Sequence, residues 1–359
     1  MKKFLILISF IIISLPIFSQ HIEWNINMQF KFDNREYSAY SEFSKTRFGV
    51  TLIPEVGVDW GNGHHFRAGA NILRDFGNIE NKITWNYLCY YSYNSKNLDV
   101  YAGAFPNIYL IGDYPRFILS DDERYFNSDL EGLALQYHND KGYIEFVSDW
   151  RSKYSSTTRE IFSLYSATDW NFGDLHLGNY LNMVHYSCSE IWKNAVDNIW
   201  ISPYVGYDFG KPFHMDKCLL RVGYLQTFQR DRIHDQDFKH PGGALIMLKM
   251  ANWKFGLDNT LFLGENLMPY YYVNNDPTGS TQGTFYSTNL YTGENSYGTE
   301  SGCYNRLEFY WLPKTNEFVN LKVSAVLHID GYANVGWQQL IFLEINLNKV
   351  YNDIKFNKR

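Results

Sequence analysis

Residues 22–32 read IEWNINMQFKF, in which Ile22, Trp24, Ile26, Met28, Phe30 and Phe32 alternate without a miss with Glu23, Asn25, Asn27, Gln29 and Lys31. On a helix those six apolar residues would point to opposed sides, whereas in a strand all of them share one face. The segment is therefore a strand with one apolar and one polar face. What its apolar face touches, a soluble core or lipid, decides the fold.

The preceding residues narrow the choice. Lys2 and Lys3 begin a positive start, Phe4 to Phe18 is an almost unbroken apolar run, and Ser19-Gln20 offers a small residue for cleavage. This reads as a secretory signal peptide over residues 1–20. The apolar run falls short of the ~20 residues that a spanning helix needs, and no cysteine stands at the cleavage point to carry a lipid. Removing Lys2 and Lys3 takes the formal charge from −6 to −8, which argues against a nucleic-acid partner. Aromatic residues make up 18% of the chain, 29 of them Tyr. No later segment is apolar enough for a transmembrane helix. Strands, in contrast, expose only alternate residues to lipid and leave mean hydropathy low.

The opening pattern recurs along the chain. After a polar loop, Phe48, Val50, Leu52, Val56, Val58 and Trp60 alternate with polar residues and end at Gly61-Asn62-Gly63, a tight reversal signal. Further strands are expected near 66–72, 83–91, 98–104, 131–138, 143–151, 159–170, 175–186, 198–209, 218–229, 243–251, 254–263, 304–312, 318–329 and 337–348. With the first two they make sixteen. Short turns, as at 139–142 and 171–174, alternate with long loops at 33–45, 106–129, 187–197 and 265–302.

Three features favour lipid over a soluble sandwich. The runs match tilted spanning strands rather than the ~5–6 residues of globular sheets. Long and short connections alternate, as they do when one barrel end faces a thin compartment. Trp60, Tyr137, Trp150, Trp170 and Trp311 stand near run ends, where interfacial girdles belong. The expected fold is all-β: a single antiparallel transmembrane β-barrel of about 16 strands over residues 21–348, with short periplasmic turns, long external loops and a periplasmic tail at 349–359. In this pattern the chain resembles the outer-membrane β-barrel proteins of Gram-negative bacteria, the porins most of all. Many such barrels end on an aromatic residue, whereas here IFLEINLN is followed by the charged KVYNDIKFNKR.

The polar strand face then lines the lumen. Its expected charged wall comprises Arg47, Glu55, Asp59, Arg67, Lys82, Asp99, Glu145, Asp149, Arg221, Lys249, Lys254, Asp258, Arg306, Glu308 and Lys322. In porins a long loop after the fifth strand folds back into the channel, which by resemblance makes 106–129 a constriction. Its charged residues are Asp113, Arg116, Asp121, Asp122, Glu123, Arg124 and Asp129. Opposed charges across a narrow passage select by charge and size. A second loop, 265–302, has no Lys or Arg. With Tyr270, Tyr271, Tyr272, Asp276, Tyr286 and Tyr291 it reads as an external ligand surface of flat aromatic faces and hydroxyls.

Cys89, Cys188, Cys218 and Cys303 show no metal or disulfide spacing, though a Cys188–Cys303 bridge between loops is conceivable. Catalytic motifs are missing: there is no Gly-x-Ser-x-Gly, His-Glu-x-x-His or phosphate-binding glycine loop. His185 alone among the histidines falls on the expected lipid face, with Ser163 and Ser166 on the neighbouring strand. The reading is a porin-like channel for passive diffusion of small hydrophilic solutes with mild cation preference. The alternatives are a non-channel barrel whose external loops bind a ligand or protein partner, and an outer-membrane lipid hydrolase. The first reading expects no enzyme, cofactor or metal. Its expected partners are the outer-membrane bilayer, the solutes and the barrel-insertion machinery, with homo-oligomers left open.

Overall fold

Alternation of polar and apolar residues closes this chain into a cylinder. A computed structural model describes residues 21–38, 44–77, 82–271, 287–298, 300–313, 315–331 and 334–347; the signal segment and the 349–359 tail lie outside them. Sixteen antiparallel strands form one closed barrel in which each pairs with its chain neighbours and the first pairs with the last. They are β1 (His21–Tyr37), β2 (Lys45–Asp59), β3 (His64–Asp75), β4 (Ile83–Asn94), β5 (Leu98–Pro106), β6 (Asp129–Asn139), β7 (Gly142–Ser152) and β8 (Ile161–Phe172). The second half comprises β9 (Leu175–Tyr186), β10 (Val196–Asp208), β11 (Lys217–Asp231), β12 (Gly242–Asn252), β13 (Phe255–Gly264), β14 (Cys303–Trp311), β15 (Val319–Asp330) and β16 (Asn334–Asn346). No helix among the described residues is long and apolar enough to cross a membrane.

The two faces are inverted relative to a soluble protein. In β1 the buried residues are Asn25, Asn27, Gln29, Lys31, Asp33 and Arg35, while Ile22 is 71% exposed. Trp85 and Tyr87 on β4 are likewise 66% and 69% exposed. A face this apolar, unpaired with any other layer, belongs against hydrocarbon, and a closed barrel is the strand arrangement that leaves no backbone group unsatisfied there. Tyr137, Trp150 and Trp311 are exposed on this face, as the girdle pattern expects.

Connections sort by barrel end. One end carries 60–63, 95–97, 140–141, 173–174, 209–216, 253–254 and 312–318; the other carries 38–44, 76–82, 107–128, 153–160, 187–195, 232–241, 265–302 and 331–333. The length alternation lapses at the last pair, where 331–333 is shorter than 312–318. At 61–63 the reversal needs left-handed backbone at all three residues, with φ of 82°, 53° and 84°, which Gly-Asn-Gly supplies at little cost. Strand β1 runs on to Tyr37, so part of the loop expected at 33–45 is strand.

The packed core lies inside the cylinder. Phe117 and Ile118 from 107–128 are fully buried beside Tyr180, Trp200 and Tyr204 of the wall and Leu290, Tyr291 and Tyr297 of the 265–302 connection. The two connections are bonded to each other: Ser120 N donates to Thr292 O at 2.9 Å and Glu294 N donates to Arg116 O at 2.8 Å. Gly293 is required at this junction, since a Cβ there would stand 2.1 Å from the Phe117 carbonyl oxygen.

Candidate functional site

The 107–128 segment enters the lumen and is held by charge at three levels. Asp113 meets Arg221 at 3.0 Å and Lys249 at 2.5 Å. Burial pushes its carboxyl upward, yet Lys249 and Arg221 outweigh that and hold it well below the ordinary carboxylate range. Backbone N–H groups of Ile111 and Gly112 donate to the Glu145 carboxylate at 2.8 and 3.0 Å. The one-turn helix Asp121–Tyr125 follows, capped by Ser120, whose hydroxyl accepts from Glu123 N.

Around that helix stands an ion network. Asp121 lies 2.9 Å from Arg116 and 3.9 Å from Arg306. Burial alone would raise its carboxyl, but Arg116, Lys31 and Arg306 carry it well below the usual range. Asp122 pairs with Lys45 and lies 3.4 Å from Arg35 and 3.5 Å from Arg47; Glu123 pairs with Arg151 at 2.8 Å. Glu308 takes Arg306 at 2.8 Å and Lys322 at 2.7 Å. Arg124 donates to the carbonyls of Leu119 and Tyr114 instead of to a carboxylate.

Most residues expected on the wall do face inward, but not all. Glu55, Glu145, Arg221, Arg306 and Glu308 are buried there, and Arg47, Arg67, Lys249 and Lys322 each pair with an inward or loop carboxylate. Asp99 bonds His138 at 2.9 Å, Asp149 accepts from Glu131 N, and Asp258 stands opposite Lys249 in the register. Asp59 accepts from Gly61 N and so serves the turn. Lys82 and Lys254 leave the wall: Lys82 is exposed ahead of β4, and Lys254 sits in the two-residue turn after β12, over the Trp253 ring. Their alternation reached one residue past the strand ends.

The external ligand surface is corrected more strongly. Tyr270 and Tyr291 are each 2% exposed. Asp231 N donates to the Tyr270 hydroxyl, and the Tyr291 hydroxyl donates to Gln229 Oε1 at 2.7 Å. Tyr271 stacks on Tyr291. These rings pack the barrel mouth because each hydroxyl finds a fixed partner there. Tyr272, Asp276 and Tyr286 lie outside the described residues. All four cysteines are free, so Cys188 and Cys303 are not bridged.

A second polar group, only partly visible in the sequence, lies on the outer face at the long-loop end. Asp197 on β10 stands opposite His185 on β9 and Arg230 on β11. Arg232 grips Asp197 with two bonds of 2.8 and 2.7 Å, and Arg230 lies 3.7 Å from the same carboxylate with its guanidinium 4.4 Å above the Phe238 ring. The His185 ring lies 4.8 Å from Phe162, which stacks on Trp150. Along the same strands Ile201 and Phe228 are exposed and apolar. Ser163 points into the lumen and is 1% exposed, while Ser166 pairs with Leu181, four positions along β9 from His185. Neither serine partners that histidine.

Residues 17–274 match the model of one protein family, described as Lipid A 3'-O-deacylase-type. The chain belongs to this family. The expectation of a protein that is not an enzyme is thereby overturned, because the family is named for an acyl-removing activity. No curated protein matches the sequence. Among solved structures, the loop L8 deletion mutant of OmpT, an outer membrane protein of Vibrio cholerae, superposes with a TM-score of 0.52 at 10% identity, covering 91% of this chain and 99% of that one. OpdO of Pseudomonas aeruginosa gives 0.50 at 9% identity over 91% and 97%. These likenesses establish a porin-like outer-membrane barrel fold. With its apolar outer face, the Lipid A 3'-O-deacylase-type chain is a protein of the Gram-negative outer membrane.

Proposed function

We propose that the protein removes an acyl chain from an outer-leaflet lipid of the lipid A type, working on the outside of the barrel. The observation that carries this is the group His185, Asp197, Arg230 and Arg232 set at the end of an otherwise apolar, lipid-facing wall. Family membership supplies the reaction class. Acyl ester hydrolysis needs a base that takes a proton from water as its oxygen attacks the carbonyl, and a donor for the oxyanion that forms. A neutral imidazole at His185 is the base, and the Arg230 guanidinium meets the oxyanion. Arg232 holds the Asp197 carboxylate in place beside them. The protonated imidazole then returns its proton to the leaving sugar oxygen, giving a free fatty acid and the deacylated lipid.

The test is incubation of the purified barrel with lipid A in detergent micelles, followed by mass spectrometry. Loss of one acyl group is expected, and its rate should fall at least a hundredfold (~10²) in His185→Gln. Intact lipid A after exposure to the folded wild-type barrel overturns the proposal.

A second reading, passage of small hydrophilic solutes with mild cation preference, is favoured by the charged inner wall. In it Asp113, Arg116, Asp121, Asp122, Glu123 and Arg124 form the constriction. Since the carboxylates among them are paired with bases, an excess of negative charge comes from wall carboxylates bonded to neutral donors, such as Glu55 and Glu344 near the short-turn end and Glu145 and Asp149. Single-channel current in a planar bilayer tests this reading, and silence under applied voltage refutes it.

A further inference from the structure

A cavity of about 270 Å³ opens in the lumen near the short-turn end, between β2, β1 and β16 and under the start of the 107–128 segment. Two carboxylates flank it. Glu55 accepts from Asn25 Nδ2 at 3.1 Å and from the hydroxyls of Tyr90 and Tyr109 at 2.7 and 2.6 Å. Glu344 accepts from Asn27 Nδ2 at 2.9 Å, and from Gln29 and Asn320 at longer range. Among the described residues neither carboxylate has an ion-pair partner. The one guanidinium in the lining, Arg67, is committed to Glu23 by bonds of 2.9 and 3.2 Å.

Between the carboxylates lie two amide oxygens with nothing to accept from. Asn25 is 8% and Asn27 1% exposed; each gives its N–H to a flanking carboxylate, which fixes the oxygen as the remaining group, and both oxygens are buried without a hydrogen-bond donor. A buried acceptor left unpaired costs ~1–3 kcal/mol. The wall is therefore an array of acceptors carrying two negative charges.

We propose that this cavity binds a short aliphatic diamine or a closely related alkylammonium. Its N–H groups are the donors that the Asn25 and Asn27 oxygens lack, and its charge is the one missing from Glu55 and Glu344. In the register Glu55 faces Asn25 and Glu344 faces Gln29, so two strand spacings of ~4.8 Å and four residues of rise at ~3.4 Å put their Cα atoms roughly 16 Å apart. Glu344 leans back to Asn27, which shortens the gap between the carboxylates toward the reach of an extended diamine with a hydrogen bond at each end. Ile108 and the Tyr109 ring line the same space and take the carbon chain. A bare metal ion fits less well, because the space is several times the ~30 Å³ share of a single water and among the described residues no cluster of three metal-binding side chains occurs. This site lies on the opposite side of the wall from the outer-face group and stands or falls independently of it.

Isothermal titration of the folded, detergent-solubilised barrel with 1,4-diaminobutane tests the proposal, with 1,4-butanediol and calcium chloride as comparison probes. One diamine per barrel is expected, with at least tenfold weaker binding in Glu55→Gln and in Glu344→Gln and no comparable heat from the diol or calcium. Asn27→Leu, which keeps both carboxylates and removes one acceptor, should also weaken binding. Heat-shifted gel mobility confirms that each variant is folded. Absence of diamine binding to the wild type, equal binding of the diol, binding of calcium alone, or diamine affinity unchanged in the folded variants overturns the proposal.

Discussion

Asp113 and Lys249, 136 positions apart in the chain, meet at 2.5 Å inside the barrel. Arg221 completes the clamp at 3.0 Å, and the three together hold the entering segment against β11 and β12. A carboxyl depressed below its unfolded value of 3.8 contributes stability that is fully present above that value and lost as pH falls through the lower folded one. The heat-modifiable transition on gels should therefore stay level from about pH 8 to 5 and drop below about pH 4. Asp113→Asn should flatten part of that acid limb. Because 40% of the Asp113 side chain is open to the lumen, the loss at neutral pH should be near ~1 kcal/mol.

Asp121 should behave differently. Its side chain is 1% exposed and faces Arg116 and Arg306, so Asp121→Asn leaves buried cations uncompensated. Losing one partner of a buried pair costs ~3–5 kcal/mol. Denaturant unfolding followed by tryptophan fluorescence should show this larger loss, and a change under ~1 kcal/mol would mean that water screens the network.

Replacing Asp121, Asp122 and Glu123 together by Asn and Gln breaks pairs to Arg116, Lys45 and Arg151 at once. The result expected in planar bilayers is a looser segment and larger, noisier conductance, beyond a shift in reversal potential. Deleting 113–119 should enlarge conductance further. Equal currents from wild type and both variants would show that ions do not pass this segment.

Sidedness is open to direct measurement. Thr157 lies exposed at the long-loop end and Asn62 exposed in a short turn. With long loops outward, a membrane-impermeant maleimide should label Thr157→Cys on intact cells and spare Asn62→Cys. The opposite labelling would invert the barrel.

The strands were legible because their signal is local: period-two alternation marks each of the sixteen, and β9 matches its expected bounds residue for residue. The inward fold of 106–129 was legible through the resemblance to porins, and the buried Phe117 and Ile118 agree with it. Its partners were not, since Asp113 finds Lys249 through the curvature of a closed sheet. Tyr270 and Tyr291 looked like display residues because composition does not reveal that Gln229 and the Asp231 backbone await their hydroxyls. Of the outer-face group the sequence showed only His185, for a related reason. His185, Asp197 and Arg230 lie on three strands and become neighbours only through register.

The seam between β1 and β16 joins the two ends of the chain, and the ion network crosses it from within. Lys31 on β1 donates to the Asp121 carbonyl, and Gln338 on β16 donates to Asp33 on β1 at 2.7 Å. The hoop is thus clasped on its inner side, close to where the 107–128 segment is anchored. Such a clasp holds the first and last strands together against sideways entry of an acyl chain, so the proposed deacylation takes its lipid where it floats, against the outside of the wall.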